Sequence, residues 1–168
     1  MIQQQRGFLL IECALVLVIL MFFYTLCVNT SHFMHNYFLR AELNKIYALF
    51  FYLQKRAIIT QQEHVLKIDV HQNNYTVLNR SEKLPSGIFF GFLFGSAGPP
   101  SAPKELISKP VTFSQDCVHF YPDGTMSAGT LYLKDQNNSL MYALTSPVAH
   151  ISYLRTYAYR KDSWVLLS

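Results

Sequence analysis

The chain has 168 residues, 51% apolar and 15% aromatic, enough to fill one hydrophobic core, and its net charge is +4. That mild excess demands neither a nucleic acid nor an anionic surface as partner. Three cysteines, at 13, 27 and 117, form no CxxC pair and argue against a disulfide-built scaffold and against a thiolate metal site. Cys13 and Cys27 read as small apolar helix residues, and Cys117 reads as a buried strand thiol.

Residues 8–28 contain one charged side chain, Glu12. As a helix rising about 1.5 Å per residue, this stretch covers about 31 Å, close to the hydrocarbon thickness of a bilayer. Arg6 and the initiating amine precede it, so the positive-inside tendency places the N-terminus in the cytoplasm and everything beyond Val28 outside. A cleaved secretory signal has the same general description. The run is longer than a usual signal core, however, and its outer end reads Phe23-Tyr24-Thr25-Leu26-Cys27, where a cleavage site needs small residues. Leu26 ahead of Cys27 also argues against a lipoprotein. Glu12 is the residue that calls for a reason, because a charge at bilayer depth costs about 2.5–3.5 kcal/mol on insertion scales. Read from the residues alone, it is either an assembly group or an interfacial charge on an ordinary anchor.

Gly7, Phe8 and then Glu12 at the head of an apolar helix resemble the prepilin signal of type IV pilins and type II secretion pseudopilins. The resemblance implies that a prepilin peptidase at the cytoplasmic membrane face cuts between Gly7 and Phe8. It also implies that the new N-terminal amine of Phe8 is methylated, and that residues 1–7 are a leader. Within that resemblance Glu12 pairs with the Phe8 amine of a neighbouring subunit, neutralising both charges where water is scarce.

Neither proline nor glycine occurs between Phe8 and Pro85, so the helix is predicted to continue past the membrane to about Thr60. Leu39, Leu43, Ile46, Phe50, Leu53 and Ala57 recur at spacings of three and four, the stripe of a helix that buries one face on a sheet. Tyr47, Phe51 and Ile58 make it apolar on a further side, which suits either another subunit's helix or a deeper core. Arg40, Asn44, Lys45, Gln54 and Lys55 are expected to keep part of the circumference wet.

Beyond Gln62 the pattern turns to short strands. Residues 65–70 and 75–78 read as a hairpin around Gln72-Asn73-Asn74, and residues 88–94 read as a buried strand. Residues 95–101, rich in Gly, Pro and Ser, form a loop. Pro122-Asp123-Gly124-Thr125 is a turn between strands at 118–121 and 131–133, because proline presets one torsion and glycine accepts positive φ. Residues 135–138 turn into a strand at 140–145, and residues 151–159 read as the last strand. The absence of a glycine in Ser146-Pro147-Val148-Ala149 leaves the final hairpin open, and the tail beyond Tyr159 has no assigned structure.

In this order the chain resembles the GspH/FimT-type minor pseudopilins over most of its length. The resemblance is carried by the leader, by the long helix with Lys55-Arg56-Ala57-Ile58 near its end, and by a hairpin. Phe120-Tyr121-Pro122-Asp123-Gly124-Thr125 and Gly129-Thr130-Leu131 complete it. The implied fold is α+β and pilin-like: a long N-terminal helix, residues 8–28 in the membrane and 29–60 in the periplasm, packed on an antiparallel β domain at 61–168. The implied partners are the prepilin peptidase, other pilin or pseudopilin subunits and the bacterial inner membrane.

A search for chemistry finds no HExxH, no G-x-S-x-G elbow and no phosphate-binding glycine loop, so no enzyme, cofactor or metal role is expected. His32 and His35 lie three apart on the predicted helix, a spacing that suits a shared metal, although two surface histidines explain it as well. Tyr153, Arg155, Tyr157 and Tyr159 would share a face of the last strand, with Arg160 and Lys161 following. Rings interleaved with cations can hold single-stranded nucleic acid, so DNA is a candidate partner; a solvated strand or a subunit contact accounts for the same pattern.

Overall fold

The computed structural model describes residues 3–96, 98–100, 102, 104–147 and 153–167, without the side chains of 3–10 and 26–35. Helix α1 spans Gln3–Thr60. It ends where the sequence places its end, and the chemistry of that end is local. Gln61 takes a left-handed φ of 53°, its Nε2 donates to the Ile58 carbonyl at 2.7 Å, and the Thr60 hydroxyl donates to the Arg56 carbonyl at 2.8 Å. The Ile58 carbonyl thus finds a donor that no further turn supplies. The chain divides into two compact units, Met1–Tyr37 and Phe38–Ser168.

The second unit carries two antiparallel sheets. Strands β1 (His64–Asp69), β2 (Asn74–Val77), β3 (Arg80–Lys83) and β5 (Cys117–Phe120) form one, in the order β3-β2-β1-β5. Strands β4 (Ile88–Phe90), β6 (Gly129–Asp135), β7 (Met141–Ser146), β8 (Arg155–Arg160) and β9 (Ser163–Leu166) form the other, in the order β4-β6-β7-β8-β9. The predicted helix stripe is the centre of the core: Leu39, Leu43, Ile46, Phe50, Leu53 and Ala57 are all buried. Leu66 and Ile68 of β1, Val118 and Phe120 of β5, Leu131 and Leu133 of β6 and Leu144 of β7 join them in one cluster. Phe50 sits at its middle, edge-on to Phe120 at 5.4 Å and to Phe113 at 6.2 Å between ring centroids.

Several expectations are corrected. Gln54 is buried rather than wet, because its Nε2 donates to the Gly124 carbonyl at 2.6 Å and ties the helix to the Pro122–Thr125 turn. The strand expected at 88–94 stops at Phe90; Gly91 still donates to the Tyr132 carbonyl, but Phe94 is fully exposed. The strands either side of the Pro-Asp-Gly turn belong to different sheets. The turn closes locally, with Tyr121 N–H to the Thr125 carbonyl at 2.9 Å and a Phe120–Met126 bridge, before the chain crosses to β6. Asp123 Oδ1 accepts from the Thr125 N–H and hydroxyl, which is the turn role its position suggests.

Two strands escaped the sequence reading. β3 follows β2 through Leu78 and Asn79, and β9 follows β8 through Lys161 and Asp162; both pairs have positive φ at both residues, as a two-residue hairpin turn requires. β7 and β8 pair antiparallel despite the glycine-free segment between them, whose residues 148–152 lie outside the description. β8 begins at Arg155, so Tyr153 is not part of the strand. Cys117 is half-buried, not fully so, and it and Cys13 are free thiols.

Candidate functional site

Of the residues read as a cleavage junction, Gly7 and Phe8 lie on the backbone of α1, with the Phe8 side chain outside the description. Every described residue from 11 to 25 is exposed, including Ile11, Leu15, Leu17, Leu20, Met21 and Phe23, and Glu12 stands among them. Among the described residues nothing covers this surface, and a contiguous exposed apolar patch of this kind marks an interaction site. Among the described residues no helix is long and apolar enough to cross a membrane; of the apolar stretch 8–28, the side chains of 8–10 and 26–28 fall outside them.

In the second unit, the face of α1 turned away from the sheets also carries rings. Lys55 Nζ lies 4.5 Å from the centroid of Phe51, Arg56 donates to the Tyr52 hydroxyl at 2.9 Å, and Ile59 is 81% exposed. The predicted second apolar side thus exists, with Phe51 and Ile58 exposed and Tyr47 half-buried, and cations lie across part of it.

The sheet-facing side holds one ionic cluster. Lys45 Nζ reaches Glu82 of β3 at 2.7 Å, and the Tyr75 hydroxyl donates to the same carboxylate at 3.0 Å. Glu42, one turn earlier, is only 6% exposed; its Oε1 makes no hydrogen bond and lies 3.9 Å from Lys45 Nζ. Burial raises the Glu42 pKa, with Lys45 pulling it down and Glu82 pushing it up. The hydrogen bond from Lys45 holds Glu82 below the usual carboxylate value. Burial lifts the Tyr75 phenol to about 12, although the Lys45 contact opposes that rise. The cluster fastens the β2–β3 hairpin to the helix. Nothing in its geometry is a reaction centre.

On the outer face of the second sheet, Tyr157 and Tyr159 are half-buried, and each packs edge-on to Trp164, at 6.4 and 5.1 Å. Tyr132 joins at 5.9 Å, beside Met141, Ala143 and Ile107, and the indole N–H donates to the Gly98 carbonyl at 2.6 Å. Burial raises the Tyr132 phenol to about 12; the Thr130 side chain opposes the shift without meeting hydrogen-bond geometry. Of the strip read as a nucleic-acid contact, Tyr157 and Tyr159 are therefore part of a sheet-surface cluster. Arg155 sits 5.0 Å over the exposed Tyr153 ring, and Arg160 and Lys161 are exposed at the β8–β9 turn. Arg160 alternates with Tyr159 and faces the other side of the sheet.

The side chains of His32 and His35 lie outside the description, and among the described residues no group of three His, Cys, Asp or Glu could hold a metal ion. His119 pairs with Glu63 and stacks on Tyr121. The buried Glu42 and the Glu82 pair were invisible to sequence reasoning, because a carboxylate one position before the Leu43 of the apolar stripe reads as solvated.

No family model matches the chain, and no curated protein matches it. Among solved structures it is similar to the minor pseudopilin EpsH from the Type 2 Secretion System of Vibrio cholerae, at 15% identity and a TM-score of 0.50, over 70% of this chain and 94% of that one. At that identity the likeness concerns the fold, and it agrees with the architecture built above from the helix stripe and the two sheets. The chain has the α+β, pilin-like fold of a GspH-type minor pseudopilin.

Proposed function

We propose that the chain is a minor pseudopilin, a structural subunit of a type II secretion pseudopilus or a type IV pilus-like filament in the inner membrane and periplasm. The observation that carries the reading is the union of two features on one helix. A stripe seals the β domain, and ahead of it the described residues 11–25 form an exposed, largely apolar surface in which Glu12 is the charged side chain. The fold likeness to a minor pseudopilin supports it. In this reading residues 8–28 hold the subunit in the membrane before assembly. A prepilin peptidase removes residues 1–7, Phe8 is methylated, and Glu12 sets the register by pairing with a neighbour's Phe8 amine. The work is mechanical and recognitional, not catalytic.

Mass spectrometry of the native N-terminus tests this directly. An N-methylated Phe8 is expected. A retained Met1 in cells with an active prepilin peptidase would sink the proposal and leave a membrane-tethered domain that does not polymerise.

A second reading, DNA binding, is favoured by one observation, the Arg155 guanidinium laid over the exposed Tyr153 ring at the start of β8. It requires that the detergent-solubilised chain bind a single-stranded oligonucleotide at low salt and release it as salt rises. Absence of binding at low salt by folded protein ends it.

A further inference from the structure

The two sheets end in four edge strands, β3 and β5 on one and β4 and β9 on the other. An edge left with unpaired N–H and C=O groups is a template for another strand, and three of these four are closed or blunted. On β4 the outward groups belong to Ile88 and Phe90. The Asn73 side chain answers both, donating to the Ile88 carbonyl at 2.7 Å and accepting from the Phe90 N–H at 3.0 Å. On β5 the outward residue His119 is met by Ser127, whose N–H donates to the His119 carbonyl and whose Oγ accepts the His119 N–H, both at 3.0 Å. β3 is Arg80-Ser81-Glu82-Lys83, exposed throughout and charged at every position but one.

β9 has none of these devices. Leu167 N–H donates to the Thr156 carbonyl at 2.8 Å, and Val165 and Ser163 stand opposite Ala158 and Arg160. Antiparallel alternation then turns Ser163, Val165 and Leu167 toward β8 and leaves the backbone groups of Trp164 and Leu166 pointing outward. Among the described residues nothing pairs with them. The strand is uncharged, and Val165 and Leu166 are 45% and 56% exposed.

We propose that β9 is a pairing edge for a second copy of this chain, antiparallel and centred on Val165. In that register Trp164 of each copy lies opposite Leu166 of the other, so the outward groups satisfy one another, and Val165 faces its own counterpart. The match is apolar against apolar on both faces of the joined sheet. Registers displaced toward the hairpin turn bring Asp162 or Lys161 opposite apolar residues, which disfavours them.

The test uses the full chain in detergent, with Cys13, Cys27 and Cys117 replaced by serine. Central residues of such a pair have Cα atoms about 4.5 Å apart, within disulfide range. Under mild oxidation Val165→Cys gives a covalent dimer and Ser163→Cys, which lies opposite Leu167, does not. Leu166→Pro removes an outward N–H that β8 does not use, so unchanged circular dichroism is expected together with self-association weakened roughly tenfold or more. Equal cross-linking at 163 and 165, association indifferent to Leu166→Pro, or a chain monomeric at every concentration overturns the proposal. So does a Val165→Cys adduct in cells with a different protein and none with itself. The state of the Phe8 amine has no bearing on any of these readouts, so the pseudopilin reading and this one stand or fall separately.

Discussion

The side-chain amide of Gln54 donates to the Gly124 carbonyl at 2.6 Å inside the protein, joining the last turns of α1 to the Pro-Asp-Gly turn far along the chain. Gly124 has φ 83°, and a Cβ added there would come within 3.0 Å of Ile58 Cδ1. Removing the donor leaves a carbonyl without its partner, at a cost of about 1–3 kcal/mol. Gln54→Ala should therefore lower the thermal midpoint by about 2–8 °C, measured by circular dichroism. Gly124→Ala should also destabilise, by about 1–2 kcal/mol from the left-handed backbone alone.

Asn73 imitates a strand at the edge of β4 with one amide group. In Asn73→Ala the Phe90 N–H loses its acceptor, so hydrogen exchange at Phe90 should accelerate, while the amides of β7, in the middle of the same sheet, keep their protection. Exchange at Phe90 unchanged from the parent protein would show that the amide plug does not hold that edge.

Glu42 provides a pH signature. Burial raises its pKa above the ordinary carboxylate value of 4.5, so folding favours the protonated form. Its contribution to stability is full below the unfolded pKa and declines as pH rises through the folded one. Asp135 has the opposite sign. Burial pushes its pKa up, but hydrogen bonds from Leu140 and Ser139 outweigh that and hold it below 3.8, so its contribution is present above the unfolded pKa and is lost as pH falls through the folded one. Glu42→Gln should stabilise the fold near neutral pH, with the advantage shrinking as pH falls through the raised folded pKa and gone once pH is below 4.5. Thermal melts across that range check the sign.

Glu12 is exposed along the helix, within the first of the two units. Glu12→Gln should leave the thermal unfolding of residues 38–168 unchanged and permit cleavage after Gly7. If Glu12 pairs with a neighbour's amine as proposed, the variant should be lost from a sheared filament fraction, because that amine would lose its counter-charge at a cost of about 3–5 kcal/mol. Equal recovery of variant and parent in that fraction would refute the assembly role.

Legibility in the sequence followed the range of the interactions. The end of α1, the stripe from Leu39 to Ala57 and the β1–β2 hairpin depend on spacing and nearby turn residues, and all were readable. β3 and β9 were missed because Leu78-Asn79 and Lys161-Asp162 turn without glycine, the residue that usually announces positive φ. Gln54 was misplaced because its partner is distant in the chain, and β5 and β6 were not separated into two sheets because strand pairing there is non-local. At the candidate site, the roles given to Gly7, Phe8 and Glu12 rest on a motif resemblance, and the fold of a single chain bears on none of them. Tyr157 and Tyr159 were assigned to the correct face, but Trp164, which covers them, lay in the tail left unread.

In a filament subunit, the position of β1 would bear on how load is carried. Residues 61–63 connect it directly to α1, and it lies between β2 and β5 with ladders on both sides. A pull along the helix therefore reaches the β domain at an interior strand, which can leave only by shearing two rows of hydrogen bonds together. Had the helix run into β3 or β9, the same force would have peeled an edge one bond at a time.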